Sequence, residues 1–202
     1  MNRRLALIPY LVLVAFVAAG LLWYLGDLRS HNAVESVSTG EVVTLGGPFA
    51  LTDQNNMLRT EKDFAGKYTL VFFGYTYCPD VCPATLAVMA AALDRLGPRA
   101  DRIVPLFITV DPKRDTPEKM KSYLASFGTR FVGLTGTADD IAKVAKEYRV
   151  YYREHPAENG GEYTVDHSGV VYLMDPNGKF IANYSLDTSP DMLAADLAKR
   201  LH

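Results

Sequence analysis

Two continuous apolar runs, Tyr68–Tyr75 and Ile103–Val110, constrain the fold of this chain most strongly. Neither run alternates between apolar and polar residues, and both are rich in β-branched and aromatic side chains. This composition is typical of strands that are buried on both faces of a sheet. Each run is followed by a stretch whose apolar residues recur at helical spacing. The alternation of buried strands with helices indicates an α/β fold.

The remaining predicted elements complete a mixed sheet that is flanked by helices. Short strands are expected at Phe49–Thr52 and Met57–Arg59 around one polar turn, and at Val170–Met174 and Phe180–Tyr184 around another. The predicted helices carry apolar stripes at residues 86, 89, 90, 93 and 96, at 120, 123, 124 and 127, at 141, 144, 145 and 148, and at 193, 197 and 201. The polar segment Glu154–Glu162 is expected to be an exposed loop.

The start of the second helix can also be predicted. Asp115 is expected to cap it, because Pro117 and Glu118 follow in the positions of the first turn. Proline is favoured at the first helical position, and a glutamate three residues after the cap completes a capping box. Asp115 is therefore assigned a structural role at the end of a helix.

The first 26 residues predict a membrane anchor. No charged side chain occurs from Leu5 to Gly26, and about 20 apolar helical residues suffice to cross a hydrocarbon core of ~30 Å. Arg3 and Arg4 precede this segment, which favours a cytoplasmic N-terminus and a domain on the periplasmic side of the inner membrane. A cleaved signal peptide is the alternative, but its apolar core is usually only ~7–15 residues. We therefore predict an uncleaved single-pass anchor at 1–26, a juxtamembrane linker at 27–46 and a folded domain at 47–202.

The composition of the chain gives no support to a nucleic-acid-binding function. The chain has 202 residues, a formal net charge of −2 and no long basic run, so nothing in it predicts nucleic-acid binding. Charged residues make up 22%, which is typical of a folded domain and not of a disordered chain. An exported domain faces an oxidising compartment, in which the redox state of its cysteines matters.

The only two cysteines, Cys78 and Cys82, flank the sequence Pro-Asp-Val between the first buried strand and the first helix. Positions four residues apart at the start of a helix face the same way, so both sulfurs can reach one ion or each other. The partial positive charge at a helix N-terminus also favours the thiolate over the thiol. Thiolate is both the nucleophilic and the metal-binding form of cysteine.

The cysteine pair is compatible with three interpretations. A purely stabilising disulfide is disfavoured, because closing so short a loop removes little entropy from the unfolded chain. A thiol–disulfide oxidoreductase with Cys78 and Cys82 as the redox pair stays open, although the familiar redox motif has two intervening residues and this one has three. A metal site is the third interpretation, since two thiolates are soft donors that select copper(I), zinc or iron–sulfur clusters.

A metal site needs further ligands, and histidine is the natural candidate. Structural zinc normally requires four protein ligands, so two cysteines and one histidine suit copper better. His31 lies in the predicted linker, His155 in the predicted loop, and His202 is the last residue. His167 stands apart, just before the predicted strand Val170–Met174. On the residues alone, His167 is as compatible with a structural role as with metal ligation.

Several segments together resemble the Sco/SenC family of copper-binding assembly factors for cytochrome c oxidase. In chain order they are Phe72–Thr76, Cys78–Pro83, Thr109–Pro112, Arg114–Pro117, Gly133–Gly136 and Asp166–Ser168. The resemblance extends from about Phe49 to the C-terminus, and the single N-terminal anchor also fits it.

The resemblance implies a thioredoxin-like, peroxiredoxin-related fold and a copper ion held by Cys78, Cys82 and His167. It further implies delivery of copper to the dinuclear centre of cytochrome c oxidase subunit II, or reduction of the cysteines of that subunit. The first role makes the protein a metallochaperone and not an enzyme, and either role requires an upstream copper donor or thiol reductant. Asp111 and Arg114 also match the family pattern, but we expect them to organise a strand-to-helix loop.

For four residues beside the predicted ligands, the sequence predicts only general roles. Tyr75 and Tyr77 are expected to pack near the site. Asp80 either tunes the charge of the thiolates or serves as a solvated or capping residue. Asp166 precedes His167, but adjacent residues of a strand point to opposite faces, so no direct hydrogen bond between these two side chains is expected.

Overall fold

The computed structural model describes residues 44–157 and 161–201, together with residues 20, 21 and 24. The elements considered below all lie in one compact unit, Val43–His202. The predicted anchor at 1–26 falls outside the described residues except at 20, 21 and 24, and the predicted linker at 27–46 except at 44–46. None of the helices in the described part combines the length and the apolar character that crossing a bilayer requires.

A seven-stranded mixed sheet forms the centre of the unit, and two further strands form a separate hairpin. The strands are β1 (Ala50–Asp53), β2 (Leu58–Thr60), β3 (Tyr68–Gly74), β4 (Ile103–Thr109), β5 (Val132–Thr135), β6 (Tyr152–His155), β7 (Thr164–His167), β8 (Val171–Met174) and β9 (Phe180–Tyr184). Across the sheet their order is β2-β1-β5-β4-β3-β8-β9, and β6 pairs with β7. Strands β3, β4 and β5 are parallel, whereas the outer strands are antiparallel to their neighbours. The mixed α/β fold predicted from the sequence is therefore confirmed.

The helices in the described part are α1 (Val81–Leu96), α2 (Pro117–Leu124), α3 (Ala138–Glu147) and α4 (Pro190–Arg200). The predicted cap of α2 is wrong. Thr116 is the cap, and its Oγ1 accepts a hydrogen bond from Lys119 N at 3.4 Å. Asp115 lies one residue earlier and is fully buried, so its carboxylate points into the protein instead of over the end of the helix.

Strand β3 determines which face of the sheet carries the cysteines. All seven of its residues are buried, and alternate side chains point to opposite faces. The Phe73 ring packs on one face against Tyr148, at the end of α3, with 5.3 Å between ring centroids. The Phe72 ring points to the other face and lies 6.0 Å from the ring of His167. The candidate ligands therefore gather on the Phe72 face.

Two parts of the sheet structure were not predicted. Strand β5 is only four residues long, and the hairpin β6–β7 includes residues for which the sequence predicts a loop. Glu154 and His155 belong to β6, so the loop predicted at Glu154–Glu162 is wrong for these two residues. Both Arg153 and Glu154 are exposed, and β6 therefore lacks the alternation by which a half-buried strand is recognised.

Candidate metal centre

The two cysteines lie where β3 passes into α1. Cys78 follows β3 in a tight turn, in which Cys78 N donates to Tyr75 O at 3.2 Å. Cys82 occupies the first turn of α1 and is completely buried, whereas Cys78 keeps 8% of its surface exposed. Both are free thiols. The site therefore has one enclosed sulfur and one at the rim, both at the carboxyl end of a parallel strand.

Gly74, the last residue of β3, makes room for the enclosed sulfur. A Cβ atom at this position would lie 2.6 Å from Cys82 Sγ and 2.8 Å from Phe107 Cε2. Both distances are well below van der Waals contact, and neither neighbour is the end of a long flexible side chain. A residue without a side chain is required here so that α1 can bring its sulfur against the strand.

Replacing Gly74 by alanine should therefore destabilise the protein and displace the Cys82 sulfur. We expect a loss of about 1–3 kcal/mol in the free energy of unfolding, the usual cost of overpacking a core, measured by urea denaturation. In a Cys82→Ala background the same change should cost less, because one of the two clashes is gone. An unchanged unfolding midpoint in the Gly74→Ala protein would contradict the packing described here.

His167 comes from the hairpin and completes a three-residue group. It is the last residue of β7, and its Nε2 lies 3.3 Å from Cys82 Sγ. The two sulfurs and one histidine nitrogen all lie within 4.8 Å of one another. The imidazole stands edge-on to the ring of Tyr75, at 5.9 Å and 90°. Side chains separated by 85 positions thus converge on a single point.

The hydrogen bond between the two thiols shifts their pKa values in opposite directions. The hydrogen bond from Cys82, supported by His167 and by the backbone N–H groups of Asp80 and Cys82, lowers the pKa of Cys78 to about 4. The same hydrogen bond, together with burial, raises the pKa of Cys82 far above its usual range. At neutral pH, Cys78 is therefore the thiolate and Cys82 the thiol that donates to it.

This difference predicts how the reduced, metal-free protein reacts with iodoacetamide. Because a depressed pKa keeps Cys78 ionised at any pH well above 4, its alkylation rate should change less than about twofold between pH 6 and pH 8. An ordinary thiol would react about 100-fold faster over the same interval, since its thiolate fraction rises tenfold per pH unit. Mass spectrometry of the first modified peptide identifies the reactive residue.

The Cys82→Ala variant is the control for this measurement. It removes the largest cause of the low pKa, so the alkylation rate of Cys78 should recover a clear dependence on pH. A tenfold rise per pH unit in the unmodified protein would show that Cys78 is not the thiolate.

A buried carboxylate braces the loop that leads to Cys78. Asp115 accepts hydrogen bonds from Thr76 N at 3.0 Å, from Thr76 Oγ1 at 2.6 Å and from Thr109 Oγ1 at 2.6 Å. Burial raises the pKa of Asp115, while the bonds from the two threonines lower it. Asp115 ties the end of β4 to the turn after β3, a role that sequence reasoning missed because Thr76 lies 39 positions away in the chain.

The other polar residues named from the sequence do not join the group. Asp80 occupies the N-cap position of α1, but its side chain makes no cap hydrogen bond and is exposed. Asp166 points away from the sulfurs and pairs with His155 Nε2 at 2.7 Å, as the alternation along β7 predicts. His31 and His202 lie outside the described residues. Among the residues that are described, Cys78, Cys82 and His167 form the one group of three or more such side chains placed to hold a metal ion.

An open cleft gives access to this group. Its lining includes Cys78, Pro79 and Val81 on one side and residues 164–167 of β7 on the other. A larger cavity, of about 420 Å³, is lined by Thr69 and Met174 at the opposite end of β3, and none of the described cysteines and histidines lines it. Cavity volume therefore does not indicate the functional site in this fold. The two thiols and the imidazole beside the open cleft identify it.

Comparisons with known proteins agree with this geometry. Residues 37–202 match the SCO1/SenC family. A SCO2-like protein of Rickettsia conorii is 38% identical over 187 residues, which cover 89% of this chain and 90% of that protein. The chain belongs to the SCO1/SenC family. The family suggested by the resemblance in the sequence is therefore confirmed.

Relatives also occur among mitochondrial proteins and solved structures. Protein SCO1 homolog 2, mitochondrial, of Arabidopsis thaliana is 41% identical over 158 residues, 78% of this chain, and the chain spans only 57% of that protein's length. The structure of Bradyrhizobium japonicum ScoI with copper bound is 48% identical, covers 77% of this chain and 98% of that one, and has a TM-score of 0.72. This likeness confirms that the mixed sheet with flanking helices is the fold of the SCO1/SenC family.

Proposed function

We propose that this protein is a copper metallochaperone that binds one copper ion through Cys78, Cys82 and His167. The observation that carries the proposal is the convergence of two sulfurs and one imidazole nitrogen within 4.8 Å, beside an open cleft. The copper-bound ScoI structure, 48% identical to this chain, supports the choice of metal.

The donor set suits copper by its chemistry. Thiolates are soft ligands that favour copper(I), and an imidazole is a good ligand for either oxidation state of the metal. Three donors leave one side of the ion open, whereas structural zinc sites are usually closed by four protein ligands. An ion held in this way is accessible to the ligands of a receiving protein through the cleft.

The receiving protein that we propose is subunit II of cytochrome c oxidase, where the copper would enter the dinuclear centre. Sequence resemblance to the SCO1/SenC family supports this assignment. The direct experiment mixes the copper(I)-loaded protein with the reduced, copper-free soluble domain of subunit II, separates the two proteins and measures the copper content of each. We expect copper to move to subunit II, and no transfer under reducing conditions would contradict the proposal.

Thiol–disulfide exchange with subunit II is a second candidate, which the low pKa of Cys78 favours. In that reaction the Cys78 thiolate attacks a disulfide of subunit II and releases one sulfur as a thiolate. The Cys82 sulfur then displaces the second sulfur, so the Cys78–Cys82 pair is oxidised to a disulfide and the target is reduced to a dithiol. A thiol reductant must restore the pair afterwards.

Two experiments distinguish copper delivery from thiol–disulfide exchange. Metal-free, reduced protein should reduce an oxidised subunit II domain only if exchange is the function. A His167→Ala variant should lose copper delivery, because the imidazole is a ligand. It should retain most of its exchange activity, because the hydrogen bond from Cys82, and not that from His167, is the largest cause of the low pKa of Cys78.

We also propose that residues 1–26 anchor the domain at 47–202 to the inner membrane, on the periplasmic side. The uncharged segment Leu5–Gly26 and the preceding arginines support this placement. Fractionation of cells, followed by protease treatment of intact spheroplasts, tests it. Resistance of the domain to protease from the outside would contradict the proposed side of the membrane.

A further inference from the structure

The hairpin β6–β7 is attached to the rest of the domain in an unusual way. Within the described part of the chain, its two strands pair with each other and with neither edge of the seven-stranded sheet. Backbone hydrogen bonds of that sheet therefore do not set its position. Since His167 is the last residue of β7, the placement of the imidazole depends on contacts between the hairpin and side chains of the rest of the domain, and on the short connection from β7 to β8.

Arg114 makes such a contact. It lies in the loop between β4 and α2, its side chain is only 11% exposed, and its Nε donates to Asp111 Oδ2 at 2.5 Å. Burying two charges is costly unless the geometry of the pair is good and further hydrogen bonds are made. The pair organises the loop between β4 and α2, in which Arg114 N and Asp115 N also donate to Asp111 O, but it occupies only one nitrogen of the guanidinium.

The guanidinium reaches from this loop to the start of β7. Its Nη1 donates to Tyr163 O at 3.0 Å, 49 positions further along the chain, and its central carbon lies 3.6 Å from the centroid of the Tyr163 ring. The Tyr163 hydroxyl donates to Asp111 Oδ1 at 2.8 Å, which closes a cycle of three residues. Tyr163 directly precedes β7, so this cycle holds the beginning of the strand that ends at His167.

A second contact holds the middle of the strand. The Arg114 guanidinium lies 5.7 Å from the centroid of the Tyr75 ring, and Tyr75 Oη accepts a hydrogen bond from Val165 N at 3.3 Å. Val165 and His167 are two positions apart, so their side chains share one face of the hairpin. The hairpin is thus held at 163 and 165, on the way to the imidazole at 167.

We propose that Arg114 is a positioning residue for His167. By holding Tyr163 and Tyr75, it sets where the hairpin presents the imidazole to the two sulfurs. This inference rests on the proposed function, because it concerns His167 as a copper ligand. Residues that orient metal ligands typically change metal affinity by about 10–100-fold when they are replaced, and Arg114 is placed to act in this way.

The test is a double-mutant cycle on the full-length protein. Copper(II) is titrated into Arg114→Met, His167→Ala and the double variant, and binding is followed by visible absorption and electron paramagnetic resonance. We expect Arg114→Met to weaken copper(II) binding by about 10–100-fold and to shift the spectrum towards that of His167→Ala. The double variant should bind within about twofold of His167→Ala alone, because no ligand is left for Arg114 to position.

Control variants show whether Arg114→Met weakens copper binding through the position of His167 or through a general loss of structure. Arg130 forms an exposed ion pair with Asp101 at 2.6 Å, at the opposite end of the parallel strands, so Arg130→Met should leave copper binding unchanged. Arg114→Lys keeps the charge but not the planar fork, and its affinity should fall between those of Arg114→Met and the unmodified protein. If Arg114→Met does not fold, Tyr163→Leu removes the stacked ring and serves in the same cycle.

The double-mutant cycle distinguishes failure of the three-ligand proposal from failure of the positioning role. An unchanged copper(II) spectrum in His167→Ala would overturn the three-ligand proposal itself. If His167→Ala weakens copper(II) binding as expected, but the fold-losses in affinity of the two single variants multiply in the double variant, only the positioning role of Arg114 is overturned.

A measurement without metal completes the test. In the metal-free protein, Val165 N is held by Tyr75 Oη, so its amide hydrogen should exchange slowly. Arg114→Met should speed this exchange by about tenfold or more, whereas Arg130→Met should not affect it. Unchanged protection of Val165 in Arg114→Met would overturn the inference.

Discussion

A Cys82→Ser variant is expected to bind copper(I) about 1,000-fold more weakly than the unmodified protein, which corresponds to a loss of about 4 kcal/mol. Cys82 provides the enclosed sulfur of the group, and a serine hydroxyl is a hard donor that does not replace a thiolate on copper(I). Competition with a copper(I) chelator of known affinity measures the change. The loss should exceed that in His167→Ala, because both soft donors remain in that variant.

Two comparisons make this prediction specific. Cys78→Ser should lose a similar amount of binding, since each variant leaves a single sulfur. Asp80→Asn changes an exposed side chain between the two cysteines that makes no cap hydrogen bond, and it should shift the affinity by less than about threefold. A Cys82→Ser protein that bound one equivalent of copper(I) as tightly as before would refute the assigned sulfur ligands.

Replacing Asp115 by alanine is expected to lower the free energy of unfolding by about 3–5 kcal/mol, the largest stability effect that we predict. The substitution removes the acceptor of three donors, namely Thr76 N, Thr76 Oγ1 and Thr109 Oγ1, of which the last belongs to a fully buried residue. Urea denaturation of the metal-free protein measures the loss. The turn that carries Cys78 should loosen as well, because Thr76 is one of its residues.

Two further variants check the origin of this effect. Asp115→Asn keeps an acceptor oxygen and introduces no charge, so it should cost clearly less than Asp115→Ala. Asp101→Ala removes one partner of an exposed ion pair and should cost less than about 1 kcal/mol. Equal, small losses in Asp115→Ala and Asp101→Ala would show that the buried carboxylate does not brace the loop.

Local patterns were sufficient to predict most of the elements that form the core, strand β5 being an exception. Strand β3 is buried on both faces and is apolar or aromatic from Tyr68 to Gly74 except at Thr69, which makes it recognisable without any partner. The helix after it, Val81–Leu96, shows the expected buried stripe. Both cysteines lie at the junction of these two elements, so their proximity also followed from local structure.

The contacts that complete the site are long-range, and they left little local signal. His167 lies 85 positions from Cys82, and its strand belongs to a hairpin whose first strand carries two adjacent exposed residues. Only the resemblance to the family singled His167 out as a ligand. The link from Arg114 to Tyr163 likewise spans 49 positions, so the sequence pattern suggested nothing more than an ordered loop.

The wrong helix cap has a simple physical explanation. Asp115 and Thr116 are both residue types that cap helices well, and local sequence does not choose between neighbours of equal propensity. The choice is made by Thr76 and Thr109, which offer Asp115 a buried set of donors and leave the cap to Thr116.

The central claim is that Cys78, Cys82 and His167 bind a single copper ion together. X-ray absorption spectroscopy of the copper-loaded protein tests it most directly, because it counts sulfur and imidazole scatterers around the metal. We predict two sulfur ligands and one imidazole in the unmodified protein, and two sulfur ligands without that imidazole in His167→Ala. An imidazole signal that persists unchanged in His167→Ala, or a copper ion with fewer than two sulfur ligands in the unmodified protein, would contradict the account.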